Sequence, residues 1–163
     1  MPENLWAPWR LSYISEDDKM KDGCFLCQAA DTGNDETALV LARGETVFCL
    51  MNKYPYSNGH LMVAPKRHDG DLCALTAQER AETMEMICRA TDTLRAAMRC
   101  HGFNIGWNMG AAAGAGVAEH LHAHIVPRWE GDTNFMPVIA NAKVIPQALD
   151  ETYRTLWDNW PER

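Results

Sequence analysis

Three histidines within seven residues, His120-Leu121-His122-Ala123-His124-Ile125-Val126, are the stretch of this chain best suited to chemistry. They alternate with apolar residues, the period of a strand with one polar and one buried face. Such a strand points successive imidazoles the same way, roughly 7 Å apart at a rise of about 3.3 Å per residue. In a helix, positions two apart lie on nearly opposite sides and the cluster would be lost. The chain spends three of its six histidines here. Imidazoles so placed can bind a metal together, or one can act as a nucleophile while its neighbours bind an anion. The preceding loop, Gly110-Ala111-Ala112-Ala113-Gly114-Ala115-Gly116, has minimal side chains. Its backbone N–H groups could approach a ligand closely, and such nests favour phosphate.

Cys24-Phe25-Leu26-Cys27 is a second constellation. A lone CxxC in a reduced compartment is half a zinc site or a redox pair. The redox form usually opens a helix after a strand, and neither is evident from the flanking residues. With no second CxxC, a zinc site needs histidines, and His68 and His120 are candidates for a tetrahedral Cys2His2 set. The alternative is that both cysteines are simply buried. Cys49, Cys73, Cys88 and Cys100 lie in apolar surroundings and read as packing residues.

Several elements must position these groups. Thr37 to Ala42 and Thr46 to Met51 are β-prone runs separated by Arg43-Gly44-Glu45, the pattern of a hairpin. Asn52 to Gly59 is a turn-rich loop, and His60 to Ala64 a third strand. Thr76-Ala77-Gln78-Glu79 has the form of a capping box. Behind it Ala77, Ala81, Met84, Cys88, Thr91, Leu94 and Met98 recur at spacings of three and four, which predicts a helix ending near Gly102. Its charged side (Arg80, Glu82, Glu85, Arg89, Arg95, Arg99) reads as solvated surface. His101, at the helix end, reads as a dipole partner. Phe103 to Asn108 alternates like a strand. From Pro146, a last helix places Leu149, Tyr153, Leu156, Trp157 and Trp160 on one face. Strands, long helix, strands, helix is the order of an α+β fold around an antiparallel sheet.

The chain has 163 residues, 47 % apolar and 23 % charged, within the range of one soluble domain. A net charge of −7 without a basic run argues against a duplex-binding, nucleic-acid protein. No stretch approaches the roughly 20 apolar residues of a membrane span. The first residues do not form a signal peptide, so the expected location is cytoplasmic. Leu5-Trp6-Ala7-Pro8-Trp9 is expected to pack onto the domain or a partner subunit, because exposed tryptophans would be adhesive.

The histidine stretch resembles the His-φ-His-φ-His-φ-φ signature of the histidine triad (HIT) superfamily. Cys24 to Cys27, Asn52, Gly59 to His68, the capped helix, Asn108 and Pro127-Arg128-Trp129 follow in family order. The Leu5 to Arg10 extension and Trp129 to Pro137 resemble a bacterial branch of diadenosine tetraphosphate hydrolases or phosphorylases. The resemblance implies a HIT fold with one long and one C-terminal helix. Its expected parts are an extension at 1–22, a HIT domain at 23–145 and a C-terminal helix at 146–163, in a homodimer.

It also implies roles. His122 would attack an α-phosphorus to form a nucleotidyl-histidine, released by water or phosphate, and His124 would hydrogen-bond the phosphate oxygens. The carbonyl of His120 or a neighbour could fix the His122 tautomer. Asn52 would contact the ribose and Asn108 the phosphate region, with Gly114 and Gly116 in the nucleotide loop. Cys24, Cys27, His68 and His120 would hold a structural zinc. His60 falls near the site, where packing or a backbone hydrogen bond would explain it equally well. Many relatives carry Gly-Gln-Ser before the triad, whereas this chain has Gly114-Ala115-Gly116-Val117 and then Ala118-Glu119. Rival readings are a nucleoside phosphoramidate hydrolase, a non-catalytic nucleotide-binding protein, and a metal protein using all three histidines.

Overall fold

The computed structural model describes residues 23–132 and 147–161. The first 22 residues and the Thr133 to Pro146 stretch therefore lie outside the described residues, including the two N-terminal tryptophans and most of the branch-specific run after Trp129.

Five strands, β1 (Val40–Arg43), β2 (Val47–Met51), β3 (Leu61–Pro65), β4 (Gly102–Trp107) and β5 (Ala123–Arg128), form one sheet. Their order is β1-β2-β3-β5-β4, with every described pairing antiparallel. Among the described residues four α-helices accompany it: α1 (Phe25–Asp31), the single turn α2 (Asp35–Ala38), α3 (Ala77–Met98) and α4 (Leu149–Asp158). The α+β expectation holds, with β1 shorter than the run read from sequence because Thr37 and Ala38 belong to α2.

All residues of β2 and β3 are buried because both faces of the sheet are covered there. On one face Leu41, Val47, Cys49, Met51, Leu61, Val63, Ala123 and Ile125 meet α3 and α4. On the other, Val40, Phe48, Leu50, Met62 and Ala64 meet Leu26 and Ala29 of α1. Short α1 is held by Arg43, whose guanidinium donates to the carbonyls of Ala29 (2.7 Å), Ala30 (2.6 Å) and Thr32 (3.1 Å) and to Asp35. Those carbonyls lie at the helix C-terminus, where a cation is favoured. α4 buries Tyr153 and Leu156 and half-buries Leu149 and Trp157 on the expected face, and Trp160 just beyond its end is buried too.

The expected buried face of α3 needs correction. Thr83, Met86, Ile87, Ala90 and Leu94 face the sheet, whereas Ala81 and Cys88 are exposed and Met84 is 53 % exposed. Polar residues occupy the inner face because local partners satisfy them. The Thr83 and Thr93 hydroxyls donate to carbonyls four residues back, and Glu79 pairs with Arg67. Nor is the charged side only solvated surface, since Glu82 accepts from the Thr46 amide and hydroxyl and secures the β1–β2 turn. The capping box at Thr76 and Glu79 is present, but the helix ends at Met98, with Arg99 in the left-handed region at φ +50°. His101 makes a different contact from the one expected: its Nδ1 accepts from the Glu130 amide at 3.0 Å. Of the remaining cysteines, Cys49 is buried and Cys100 half-buried, while Cys73 and Cys88 are exposed and do not pack.

Candidate active site and metal centre

The histidine stretch is less regular than a continuous strand. β5 begins at Ala123, so His120 and His122 lie in the segment leading into it and only His124 is in the ladder. With His120 and His122 outside the ladder and His124 within it, the three rings take different partners.

His120 is fully buried and turns toward the CxxC. Contrary to expectation, that motif does open a helix: Cys24 is the N-cap of α1 and Cys27 lies in its first turn. Positions three apart share a helix face, which presents both thiols to the same point. His120 Nδ1 lies 3.3 Å from Cys24 Sγ and 3.4 Å from Cys27 Sγ, and His68 Nδ1 lies 3.3 Å from Cys27 Sγ. All four ligand atoms fall within 4.8 Å of one another. A tetrahedral zinc with bonds of about 2.3 Å to sulfur and 2.0 Å to nitrogen has mixed edges of roughly 3.6 Å. Cys24, Cys27, His68 and His120 therefore form a possible metal site. The His120 ring donates from Nε2 to the Pro65 carbonyl at 2.9 Å, leaving the Nδ1 lone pair toward the sulfurs. Burial lowers the His120 pKa and keeps the ring neutral, as a ligand must be. Burial and the adjacent Cys24 push the Cys27 thiol up. A divalent cation would offset the rise at Cys27 and favour the same neutral His120 ring.

Two features join the loops carrying these ligands. The Leu121 amide donates to the Asp69 carbonyl at 2.7 Å. Gly70 packs so closely on Ala118 and Glu119 that a Cβ would collide with the Ala118 carbonyl oxygen. Gly70 had no signal in the sequence, because close approach to a distant segment leaves no local pattern.

His122, also buried, contacts the His120 carbonyl on one side and the His124 ring on another. Its Nδ1 donates to the His120 carbonyl at 2.8 Å, so Nε2 carries the lone pair. Burial lowers its pKa below the ordinary histidine value, and a neutral imidazole is the nucleophilic form. The His124 ring stands edge-on to it, with centroids 4.8 Å apart. His124 lines an open pocket of about 270 Å³ with Tyr56, Asn104, Gly106, Trp107, Asn108 and Val126.

A HIT-domain profile matches residues 34–131, three-fifths of the chain. The chain belongs to the HIT family. Over 164 aligned residues it is 43 % identical to a Mycobacterium tuberculosis protein named AP-4-A phosphorylase, covering 97 % of this chain and 84 % of that one. The fold is similar to that of a Zn-bound histidine triad family protein from Mycobacterium smegmatis, with TM-score 0.66 at 24 % identity over 84 % and 92 % of the two chains. It is also similar to a hypothetical histidine triad nucleotide-binding protein from Sulfolobus tokodaii, with TM-score 0.64 at 26 % identity over 83 % and 88 %.

Of the other residues expected in this site, Asn52, Gly114 and Gly116 are not among those lining the pocket. Asn108 lines it. The Asn52 side-chain oxygen accepts from the Tyr54 amide at 2.8 Å, an Asx turn, while its amide nitrogen lies 3.3 Å from His60 Nδ1. In the small-residue loop Gly114 adopts φ +81°, and its amide donates to the Ala111 carbonyl, so it shapes the loop. Gly116 is exposed, as is Glu119. His60, left open between packing and hydrogen bonding, is fully buried and hydrogen-bonds His124 at 3.0 Å. Its sequence signal was a histidine opening an otherwise apolar strand.

Proposed function

We propose that this HIT enzyme cleaves dinucleoside polyphosphates, such as diadenosine tetraphosphate, at an α-phosphate through His122. The observation that carries the reading is the His122 Nδ1–H to His120 carbonyl bond, which leaves a neutral Nε2 lone pair beside His124. The 43 % identical relative's name supports the substrate class and favours phosphate as acceptor.

In the first step His122 Nε2 would form a P–N bond to the α-phosphorus as the α–β bridging P–O bond breaks, expelling ATP. In the second, a phosphate oxygen would attack the same phosphorus and the P–N bond would break, giving ADP and free His122. Water in that step would give AMP. His124 would hydrogen-bond the phosphate oxygens, Asn108 the phosphate region and Asn52 the ribose, with Gly114 and Gly116 in the loop beside the nucleotide.

Zinc fits the Cys24, Cys27, His68 and His120 donor set. Four protein ligands leave no open position for substrate, so its contribution would be structural. The 1–22 extension, the 23–145 domain and the 146–163 helix are proposed parts of a homodimeric, cytoplasmic enzyme acting on small nucleotides.

Incubation with diadenosine tetraphosphate, with and without phosphate, followed by chromatography, tests the reading. ADP plus ATP formed only with phosphate is the expected result. AMP plus ATP would make it a hydrolase, and no cleavage under either condition would overturn the assigned activity.

A further inference from the structure

His60 is a fully buried histidine to which the proposed chemistry gives no task. Its Nδ1 lies 3.1 Å from the Tyr56 amide nitrogen, a group that can only donate. It also lies 3.3 Å from the Asn52 side-chain nitrogen, whose orientation is set by the Tyr54 amide donating to the Asn52 oxygen. Two donors converge on Nδ1, so that nitrogen accepts and the neutral ring carries its proton on Nε2. His60 Nε2 is 3.0 Å from His124 Nδ1. His124 Nδ1 must then accept, which leaves the His124 proton on Nε2. A carbonyl on His122 Nδ1 gives that ring the opposite arrangement.

We infer that His60 is a positioning residue that holds His124 with its proton on Nε2, so that it is a donor beside the Nε2 lone pair of His122. The Tyr56 amide and Asn52 set His60, and His60 sets His124. Two histidines two residues apart thereby take complementary tautomers, one held by a backbone acceptor and the other by a relayed donor. The Tyr56 ring, 4.6 Å from the His60 ring and 5.6 Å from that of His124, packs against both.

Long-range ¹H–¹⁵N spectra of the ¹⁵N-histidine-labelled full chain show which nitrogen of each ring is protonated. The expected result is Nδ1 for His122 and Nε2 for His124. In His60→Phe, the His124 preference should be lost and kcat on diadenosine tetraphosphate should fall on the order of 10²-fold, with KM little changed. His60→Gln carries an acceptor and a donor on one terminal group and should retain the tautomer and most of kcat. A wild-type His124 protonated on Nδ1 would overturn the inference. So would a His60→Phe variant with unchanged tautomer and kcat, or a folded His60→Gln variant as impaired as His60→Phe. If His60→Phe does not fold, the wild-type spectrum and His60→Gln decide alone. The kinetic arm rests on the proposed activity. The spectroscopic arm does not, so an inactive wild type would refute that activity while the spectra still decide the role of His60.

Discussion

What distinguishes the three triad histidines is the atom that meets each Nδ1. For His120 it is the sulfur cluster, for His122 a backbone carbonyl, and for His124 the His60 ring. Identical side chains thus offer a candidate ligand, an Nε2 lone pair and, on the inference above, an N–H hydrogen-bond donor, because a neutral imidazole has one donor and one acceptor nitrogen. His122→Asn should reduce cleavage on the order of 10⁴-fold or more, the scale of losing a nucleophile. It should leave metal content and the thermal midpoint near those of the wild type, since no metal-directed atom is removed. Product chromatography with metal analysis on the same sample checks both. A clear loss of metal would instead favour the protein that uses all three histidines as ligands.

An ion pair links the loop that carries His68 to α3. Arg67, beside His68, donates to Glu79 at 2.7 Å, and Glu79 also closes the capping box by accepting from the Thr76 amide. The Arg67 guanidinium, helped by Thr76, holds the Glu79 carboxyl at about 2. A carboxylate depressed in the fold contributes stability that is complete above its unfolded value and lost as pH falls through the folded one. Acidification from about pH 4.5 toward 2 should therefore weaken the wild type. Glu79→Gln should cost about 1–3 kcal/mol at pH 7 and remove that part of the acid dependence, as read from urea midpoints at several pH values. Gly70→Ala should act on the metal site without touching a ligand. Its methyl would push the His68 loop off Ala118, and metal affinity should fall about tenfold or more in a competitive chelator titration.

For the molecule as a whole, the proposed metal would tie α1 to the loops after β3 and before β5, which the Leu121 amide to Asp69 carbonyl bond and the Gly70 contact already join to each other. Cys24→Ser should lose bound metal and lower stability by about 3 kcal/mol, the amount given by a ligand at 100 times its dissociation constant. Atomic emission and thermal melts measure the two effects, and a folded wild type without metal would contradict the zinc assignment. Much of this assembly was legible in the residue order. β-prone runs marked β2 and β3, alternation marked β4, Thr76 and Glu79 marked the helix start, and the His and Cys spacings marked the candidate site, because each is a local pattern within a few residues of itself. The inner face of α3 was not legible, since Thr83 and Glu79 are buried through partners that hydropathy does not encode. Gly70 and the link from His60 to His124 were equally hidden, because each depends on residues 48 to 64 positions apart. Residue types limited which chemistries these histidines can perform. Which ring performs which was set by the neighbours that folding brings to each Nδ1.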